Sequence, residues 1–126
     1  MSSVLDASAV MALIMREPGE EKVRGEIGDA IISSVNMAEV YSTCADRKLD
    51  PAVIGRTLSG MGLAILNFLP AHAFVAGQLR PLTRSHGLSL GDRACLATAM
   101  VEKLPVMTAD RAWLTLSLPV EVISIR

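Results

Sequence analysis

The sequence predicts an α/β fold with a parallel sheet. Short apolar runs alternate along the chain with segments of helical periodicity, and turn residues separate them. No repeat, linker or low-complexity segment interrupts this alternation, so residues 1–126 are expected to form one domain. Because 51% of the residues are hydrophobic and only 3% are aromatic, the core is expected to consist of Leu, Val, Ile, Ala and Met.

The first half of the chain contains signals for two strands and four helices. The first helix is expected to end before Pro18-Gly19, which interrupts the helical pattern. Ser34 is a suitable N-cap for the third helix, and Asp50-Pro51 is a typical start for the fourth. The predicted elements are a strand at residues 2–6, helices at 8–16 and 20–27, a strand at 30–33, and helices at 35–47 and 51–61.

The second half continues the alternation, and its clearest signal is the helix that begins at Leu90. Apolar residues recur there at intervals of 4, 3, 4 and 3, which predicts a stripe packed on a sheet, formed by Leu90, Ala94, Ala97, Val101 and Leu104. Asp92 is not part of this stripe. The other predicted elements are a strand at 64–69, a helix at 71–79 that Pro81 disturbs, a strand at 106–108, a short helix at 111–116 and a strand at 120–125.

Four acidic residues occupy positions where a parallel α/β fold places its ligand-binding groups. Asp6 ends the first predicted strand, and Asp110 follows a later one after a single intervening residue. Glu39 lies on the helix after the second strand, and Asp92 lies in the first turn of the helix that begins at Leu90. Four carboxylates brought together without a cation would repel one another. They are therefore either dispersed or hold a hard divalent ion through oxygen ligands.

Each acid also has a simpler structural explanation. Asp6 and Asp110 are suited to cap the helices that follow them, which is worth about 1 kcal/mol each. Asp92 can interact with a helix dipole. Glu39, however, has no cation three or four positions away on its helix, and neither does Asp92. These two carboxylates need a partner from elsewhere in the fold or a bound cation.

Each of the four acids lies within a longer motif, at residues 4–9, 33–40, 88–97 and 106–111. In this order the motifs resemble those of the PIN domain family, in particular those of the VapC-type toxin ribonucleases of bacterial toxin–antitoxin pairs. The resemblance covers nearly the whole chain. It implies a three-layer α/β/α sandwich with a mainly parallel central sheet, in which Asp6 and Asp110 lie on adjacent central strands.

The resemblance further implies a metal-dependent endoribonuclease. Phosphodiester hydrolysis needs an activated water, a neutralised phosphate and a stabilised leaving oxygen, and one or two Mg2+ or Mn2+ ions held by carboxylates can supply all three. The assigned catalytic residues, which bind metal directly or through water, are Asp6, Glu39, Asp92 and Asp110. This chemistry needs no histidine base, and His72 and His86 are expected at the surface or in a loop.

Two hydroxyl side chains are expected to support the site. Ser8 lies two residues after Asp6, and Thr108 lies two residues before Asp110. Their hydroxyls are placed to hold a carboxylate or a water molecule on the metal. A helix cap would explain Ser8 equally well, and a strand preference would explain Thr108.

The formal net charge of −1 does not by itself indicate a nucleic-acid-binding protein. Without the four candidate ligands, however, the chain has 9 acidic and 12 basic residues, so the rest of its surface is compatible with a polyanion such as RNA. Arg93 and Arg111 directly follow Asp92 and Asp110 and are candidates for phosphate contacts. A solvated helix face explains these arginines at least as well.

The resemblance also implies two protein partners, a second copy of the chain in a homodimer and a cognate antitoxin. Helices rich in Met, Leu and Ala, such as those at 9–15 and 51–61, are expected to leave apolar faces for these partners. A basic antitoxin side chain that enters the four carboxylates would compete with the metal.

The longest apolar stretches, residues 7–15 and 62–70, are too short to span a bilayer, and the first residues lack the basic start of a signal peptide. The protein is therefore expected to be cytoplasmic, without a membrane partner. Cys44 and Cys95 lie 51 positions apart in helical segments, and both are expected to be buried free thiols.

A catalytically silent interaction module is the main alternative, because the high apolar content also suits a protein with large contact surfaces. An Asp-nucleophile phosphatase would need a second Asp where the chain has Ser8. A nucleotide-binding fold is disfavoured, because Gly55 and Gly60 have P-loop spacing but are not followed by Lys and then Ser or Thr.

Overall fold

The computed structural model describes all 126 residues. Its strands are β1 (Ser3–Leu5), β2 (Ala30–Ser33), β3 (Ala64–Leu66), β4 (Val106–Thr108) and β5 (Val122–Ser124). Its α-helices are α1 (Ala7–Met15), α2 (Glu20–Glu26), α3 (Ser34–Asp46), α4 (Pro51–Gly60), α5 (Pro70–Thr83) and α6 (Leu90–Glu102). Short 3-10 helices lie at Ile27–Asp29, Arg84–His86 and Arg111–Thr115.

The five strands form one sheet in the order β3-β2-β1-β4-β5, and every neighbouring pair is parallel. β1 lies at the centre, with Val4 opposite Val106 of β4 and Leu5 opposite Met107. Because β1 and β4 are parallel neighbours in this register, the residues that follow them leave the sheet at the same edge. This topology brings the segments containing Asp6 and Asp110 side by side.

Helices cover both faces of the sheet. Successive strand residues point to opposite faces, so Leu5 and Met107 belong to one core and Val4 and Val106 to the other. Residues of α1, α2, α3 and α4 fill the first core, whereas residues of α5, α6 and the buried Trp113 fill the second. The predicted three-layer α/β/α sandwich with a parallel sheet is confirmed, and strands buried on both faces account for its continuous apolar runs.

Helix α5 is longer than predicted. The helix continues past Pro81 and ends at Thr83, although Pro81 cannot donate a hydrogen bond to the carbonyl of Gly77. Both of these residues are exposed, so water can satisfy that carbonyl. The last turn has a separate side-chain bond, in which the Thr83 hydroxyl donates to the Leu79 carbonyl at 2.8 Å.

The expectation that His72 lies at the surface is wrong. His72 is only 1% exposed, and its Nδ1 accepts the backbone N–H of Leu69 at 2.9 Å at the start of α5. Its Nε2 lies 3.1 Å from Glu102 at the end of α6. β3 ends at Leu66 and not at Leu69, because its partner strand β2 ends at Ser33, which lies opposite Leu66.

Other expectations have mixed outcomes. The predicted apolar stripe of α6 does not include Leu90, which is 64% exposed at the first turn, whereas residues 94–99 are buried. Cys44 and Cys95 are both buried free thiols, as predicted. No helix has both the length and the apolar character needed to cross a membrane.

Candidate active site

Asp6 is the buried centre of the candidate site. It follows β1 and occupies the N-cap position of α1, but its side chain accepts no capping hydrogen bond from the helix. Instead, Asp6 Oδ2 accepts two hydroxyl hydrogen bonds, from Ser8 Oγ at 2.6 Å and from Thr108 Oγ1 at 2.9 Å. Because Ser8 is on α1 and Thr108 ends β4, these bonds tie the carboxylate to both elements.

The two hydroxyls are themselves fixed by the backbone that follows β4. Ser8 Oγ accepts the N–H of Ala109 at 3.0 Å, and Thr108 Oγ1 accepts the N–H of Asp110 at 3.0 Å. Each hydroxyl has one hydrogen, which it donates to Asp6, and both act as acceptors for a backbone amide. The direction of each of these four hydrogen bonds is therefore defined, and together they hold Asp6 Oδ2 in place.

Burial raises the pKa of Asp6 from 3.8 to about 6. The hydrogen bonds from Ser8 and Thr108 act in the opposite direction, because they stabilise the charged form, while the negative charges of Asp92 and Glu39 raise the pKa further. The shift shows that these two acids act electrostatically on Asp6.

Glu39 lies on α3 and rests against the first turn of α6. Its Oε1 accepts a hydrogen bond from Asn36 Nδ2 at 2.7 Å. The carboxylate lies so close to Gly91 that a Cβ at this position would overlap it. Gly91 thus allows the Glu39 carboxylate to approach the α6 backbone next to Asp92. Sequence reasoning did not assign a role to Asn36 or Gly91, because their contacts cross between the two helices.

Asp92 combines a capping role with its place in the site. Its Oδ2 accepts the N–H of Ser89 at 3.0 Å, and Ser89 Oγ accepts the N–H of Asp92 at 3.1 Å, which forms a capping box at the start of α6. One turn later, burial raises the pKa of the Cys95 thiol well above its usual value, and the charges of Asp6, Glu39 and Asp92 raise it further. These three carboxylates therefore share one electrostatic environment.

Asp110 lies at the margin of this group. Its side chain is exposed, and Oδ1 accepts the N–H of Ala112 at 3.0 Å, so it caps the following 3-10 helix. Asp110 is not among the charges that act on Asp6 or Cys95. Its link to the centre of the site runs through its backbone N–H and the Thr108 hydroxyl.

The model of the PIN domain family matches residues 3–117. The chain belongs to the PIN domain family. The family membership predicted from the four acidic motifs is confirmed. No protein of curated function matches this PIN domain in sequence.

Solved structures with the same fold include a toxin–antitoxin complex from Klebsiella pneumoniae, at TM-score 0.79 and 20% identity, covering 99% of this PIN domain and 98% of that chain. VapBC2 from Rickettsia felis bound to a promoter DNA fragment matches at TM-score 0.75 and 17% identity, covering 98% of each chain. DNA-bound VapBC from Salmonella typhimurium matches at TM-score 0.74 and 19% identity, covering 100% of each chain. At these identities the similarity shows the shared fold.

The two candidate phosphate-binding arginines of the PIN domain both contact backbone carbonyls. Arg93 is half-buried, and its Nη1 donates to the carbonyl of Ala76 on α5 at 3.3 Å. Arg111 is exposed, and its Nη1 donates to the carbonyl of Arg126 at 2.9 Å. Arg111 is the more accessible of the two to a ligand from solvent.

The donors of the PIN domain site suit a hard divalent cation such as Mg2+ or Mn2+, because they are oxygen atoms. In each of the four carboxylates, one oxygen accepts a hydrogen bond and the other accepts none; the unbonded oxygens are Asp6 Oδ1, Glu39 Oε2, Asp92 Oδ1 and Asp110 Oδ2. Three such side chains do not converge closely enough to bind one ion directly. Because Mg2+ keeps several waters and is often held by one or two carboxylates, these donors fit an ion bound partly through water.

Proposed function

We propose that this PIN domain is a Mg2+- or Mn2+-dependent endoribonuclease and the toxin of a toxin–antitoxin pair. The observation that carries the proposal is the state of three neighbouring carboxylates, Asp6, Glu39 and Asp92. Each has one oxygen held by a protein hydrogen bond and one oxygen without a partner. The negative charges of Glu39 and Asp92 raise the pKa of Asp6, and a bound cation would offset this repulsion.

The residues of the site have different roles in the proposed phosphodiester hydrolysis. When bound, Mg2+ or Mn2+ would supply a positive charge for the scissile phosphate and would lower the pKa of the attacking water. Asp6, Glu39 and Asp92 would hold the ion partly through water molecules, and Asp110 would contribute through water from the margin of the site. Ser8 and Thr108 fix one oxygen of Asp6, so that its other oxygen is presented in a single orientation.

RNA as the substrate is supported by charge. Outside the four site acids the chain has 9 acidic and 12 basic residues, so the rest of the chain carries a small positive charge that is compatible with a polyanion. Arg111 is exposed one residue after Asp110 and is the better placed arginine for a phosphate contact. The toxin role is supported by the fold shared with toxin–antitoxin complexes such as that from Klebsiella pneumoniae.

The purified protein is expected to cleave total RNA in Mg2+ or Mn2+ and to stop when EDTA removes the ion. Asp92→Asn should lose this cleavage, because it removes a charge from the metal site. Asp46→Asn, which makes the same change at an exposed residue at the end of α3, should cleave like the wild type. Gel analysis of the RNA products measures cleavage by the wild type, with and without EDTA, and by both variants. Cleavage that persists in EDTA would contradict the proposal, and metal binding without cleavage would favour a catalytically silent module.

Partners are supported by apolar surface on the helices. A groove of about 230 Å3 lies between α1, α2 and α4. It is lined by five apolar residues, one threonine and two arginines, namely Leu13, Ile14, Ile54, Leu58, Met61, Thr57, Arg16 and Arg24. An apolar segment of an antitoxin would suit this groove. Other large apolar side chains are exposed on α5 and α6, including Phe74, Leu82 and Leu90, and would suit a second copy of the chain.

Expression without a cognate antitoxin is expected to arrest bacterial growth, because the free toxin would cleave cellular RNA. Asp92→Asn should relieve the arrest, and Asp46→Asn should not. Growth curves at matched protein levels measure the effect. Light scattering of the purified protein at micromolar concentration is expected to give a homodimer. Normal growth with abundant wild-type protein, together with a monomer in solution, would count against the toxin assignment.

A further inference from the structure

Asn36 connects the two acid-bearing helices of the site. Its side chain is fully buried, with 0% exposure, in the first turn of α3. Asn36 Nδ2 donates to Glu39 Oε1 at 2.7 Å and to the Gly91 carbonyl at 2.9 Å. One amide group therefore joins the Glu39 carboxylate to the α6 backbone, one residue before Asp92.

The orientation of this amide is determined by its partners. Both partners of Nδ2 are acceptors, so the reversed amide would place Oδ1 against a carboxylate and a carbonyl oxygen. In the favoured orientation, Asn36 Oδ1 is buried and accepts no hydrogen bond. Buried acceptors without a donor are rare in folded proteins and call for an explanation, such as a bound water or ligand.

A structural role alone does not explain Asn36. The N-cap of α3 is Ser33, which accepts the N–H of Val35 at 3.2 Å, so Asn36 is not needed as a cap. The neighbouring Met37 is apolar and packs in the core. An apolar residue at position 36 would fill the same volume without leaving an unpaired oxygen.

We propose that Asn36 is a positioning residue of the metal site. It holds Glu39 in one orientation against α6, fixes the distance between the carboxylates of Glu39 and Asp92, and offers Oδ1 to a water molecule that accompanies the ion. Gly91 takes part by leaving space for the Glu39 carboxylate. This inference rests on the proposed function, since it assumes that Glu39 is a metal ligand.

The test measures Mn2+ affinity of the purified full chain by electron paramagnetic resonance, which does not depend on cleavage. Asn36→Leu removes the amide at similar volume, and Asn36→Ala removes it without added bulk. Both are expected to weaken Mn2+ binding by about 10- to 100-fold, as is typical when the group that orients a metal ligand is lost. Ser42→Ala is the matched control on α3, because Ser42 is exposed and its hydroxyl bonds only the Ala38 carbonyl.

A double-mutant cycle separates a positioning role from general damage. If Asn36 acts mainly through Glu39, then Asn36→Leu should weaken Mn2+ binding by a smaller factor in the Glu39→Gln protein than in the wild type. Additive losses in the cycle, or wild-type affinity in both Asn36 variants, would overturn the inference and leave the proposed function standing. A wild-type protein that binds no Mn2+ would overturn both. Melting curves in EDTA identify any variant that binds Mn2+ weakly because it is unfolded. If Asn36→Leu is unfolded, the Mn2+ affinity of Asn36→Ala tests the inference.

Discussion

Asp6→Asn is expected to reduce RNA cleavage by about 100-fold or more and to stabilise the metal-free protein. Loss of a group that only orients a metal ligand typically lowers metal affinity or activity by about 10- to 100-fold. Loss of the charge of a ligand should therefore lower cleavage at least as much. Asn keeps the shape of Asp6 and retains an oxygen that can accept the Ser8 and Thr108 hydroxyls. The buried charge is removed, and with it the repulsion from Asp92 and Glu39.

The stability gain should depend on pH in a defined direction. The pKa of Asp6 is about 6 in the fold and 3.8 without its surroundings, so the folded state binds more protons between these values. Stability of the metal-free wild type should therefore fall as pH rises through this window, by at most about 3 kcal/mol at roughly 1.4 kcal/mol per pKa unit. This penalty is absent below about pH 4 and complete above about pH 6.

Urea unfolding in EDTA at roughly pH 3.5 and roughly pH 7.5, which lie below and above the window, measures this difference. Asp6→Asn should be more stable than the wild type at the higher pH and nearly equal to it at the lower pH. Asp46→Asn, at an exposed position, should follow the wild type at both. Wild-type cleavage by Asp6→Asn, or the same stability difference at both pH values, would contradict the assignment of Asp6.

Mg2+ or Mn2+ is expected to raise the melting temperature, because the folded chain offers a site that the unfolded chain lacks. At a free metal concentration 100 times the dissociation constant, the stabilisation is about 2.7 kcal/mol. For a chain of this size, that corresponds to a shift on the order of 10 °C. The shift should be large above about pH 6 and small near pH 4, since protons then compete with the metal for Asp6.

Differential scanning fluorimetry across millimolar metal measures this shift. Asp92→Asn and Glu39→Gln should each reduce it, whereas Asp46→Asn should leave it unchanged. A melting temperature that does not respond to metal would mean that the acids act only as caps and local hydrogen-bond acceptors. A metal-dependent shift in a protein that cleaves no RNA would indicate a catalytically silent module that retains its ion.

The parallel sheet and the order of its elements were predictable from local pattern. Strands buried on both faces give continuous apolar runs, and helices packed on one side give a period near 3.6 residues. The prediction was wrong at two places, where solvent exposure or a side-chain hydrogen bond outweighed the local sequence pattern. Helix α5 continues past Pro81 because Gly77, whose carbonyl Pro81 cannot bond, is exposed to water. His72 is buried because its ring accepts the Leu69 N–H at the start of α5 and contacts Glu102.

Local pattern alone was enough to select the candidate site residues, because the positions of Asp6, Glu39, Asp92 and Asp110 at strand ends and early helix turns follow from it. How these residues interact depends on the tertiary structure. It buries Asp6 under two hydroxyls, places the Glu39 carboxylate against Gly91 and leaves Asp110 as an exposed cap. It also joins Asn36 to Gly91 across 55 positions of sequence. Such contacts depend on strand order and on the packing of α3 against α6, which local periodicity does not encode.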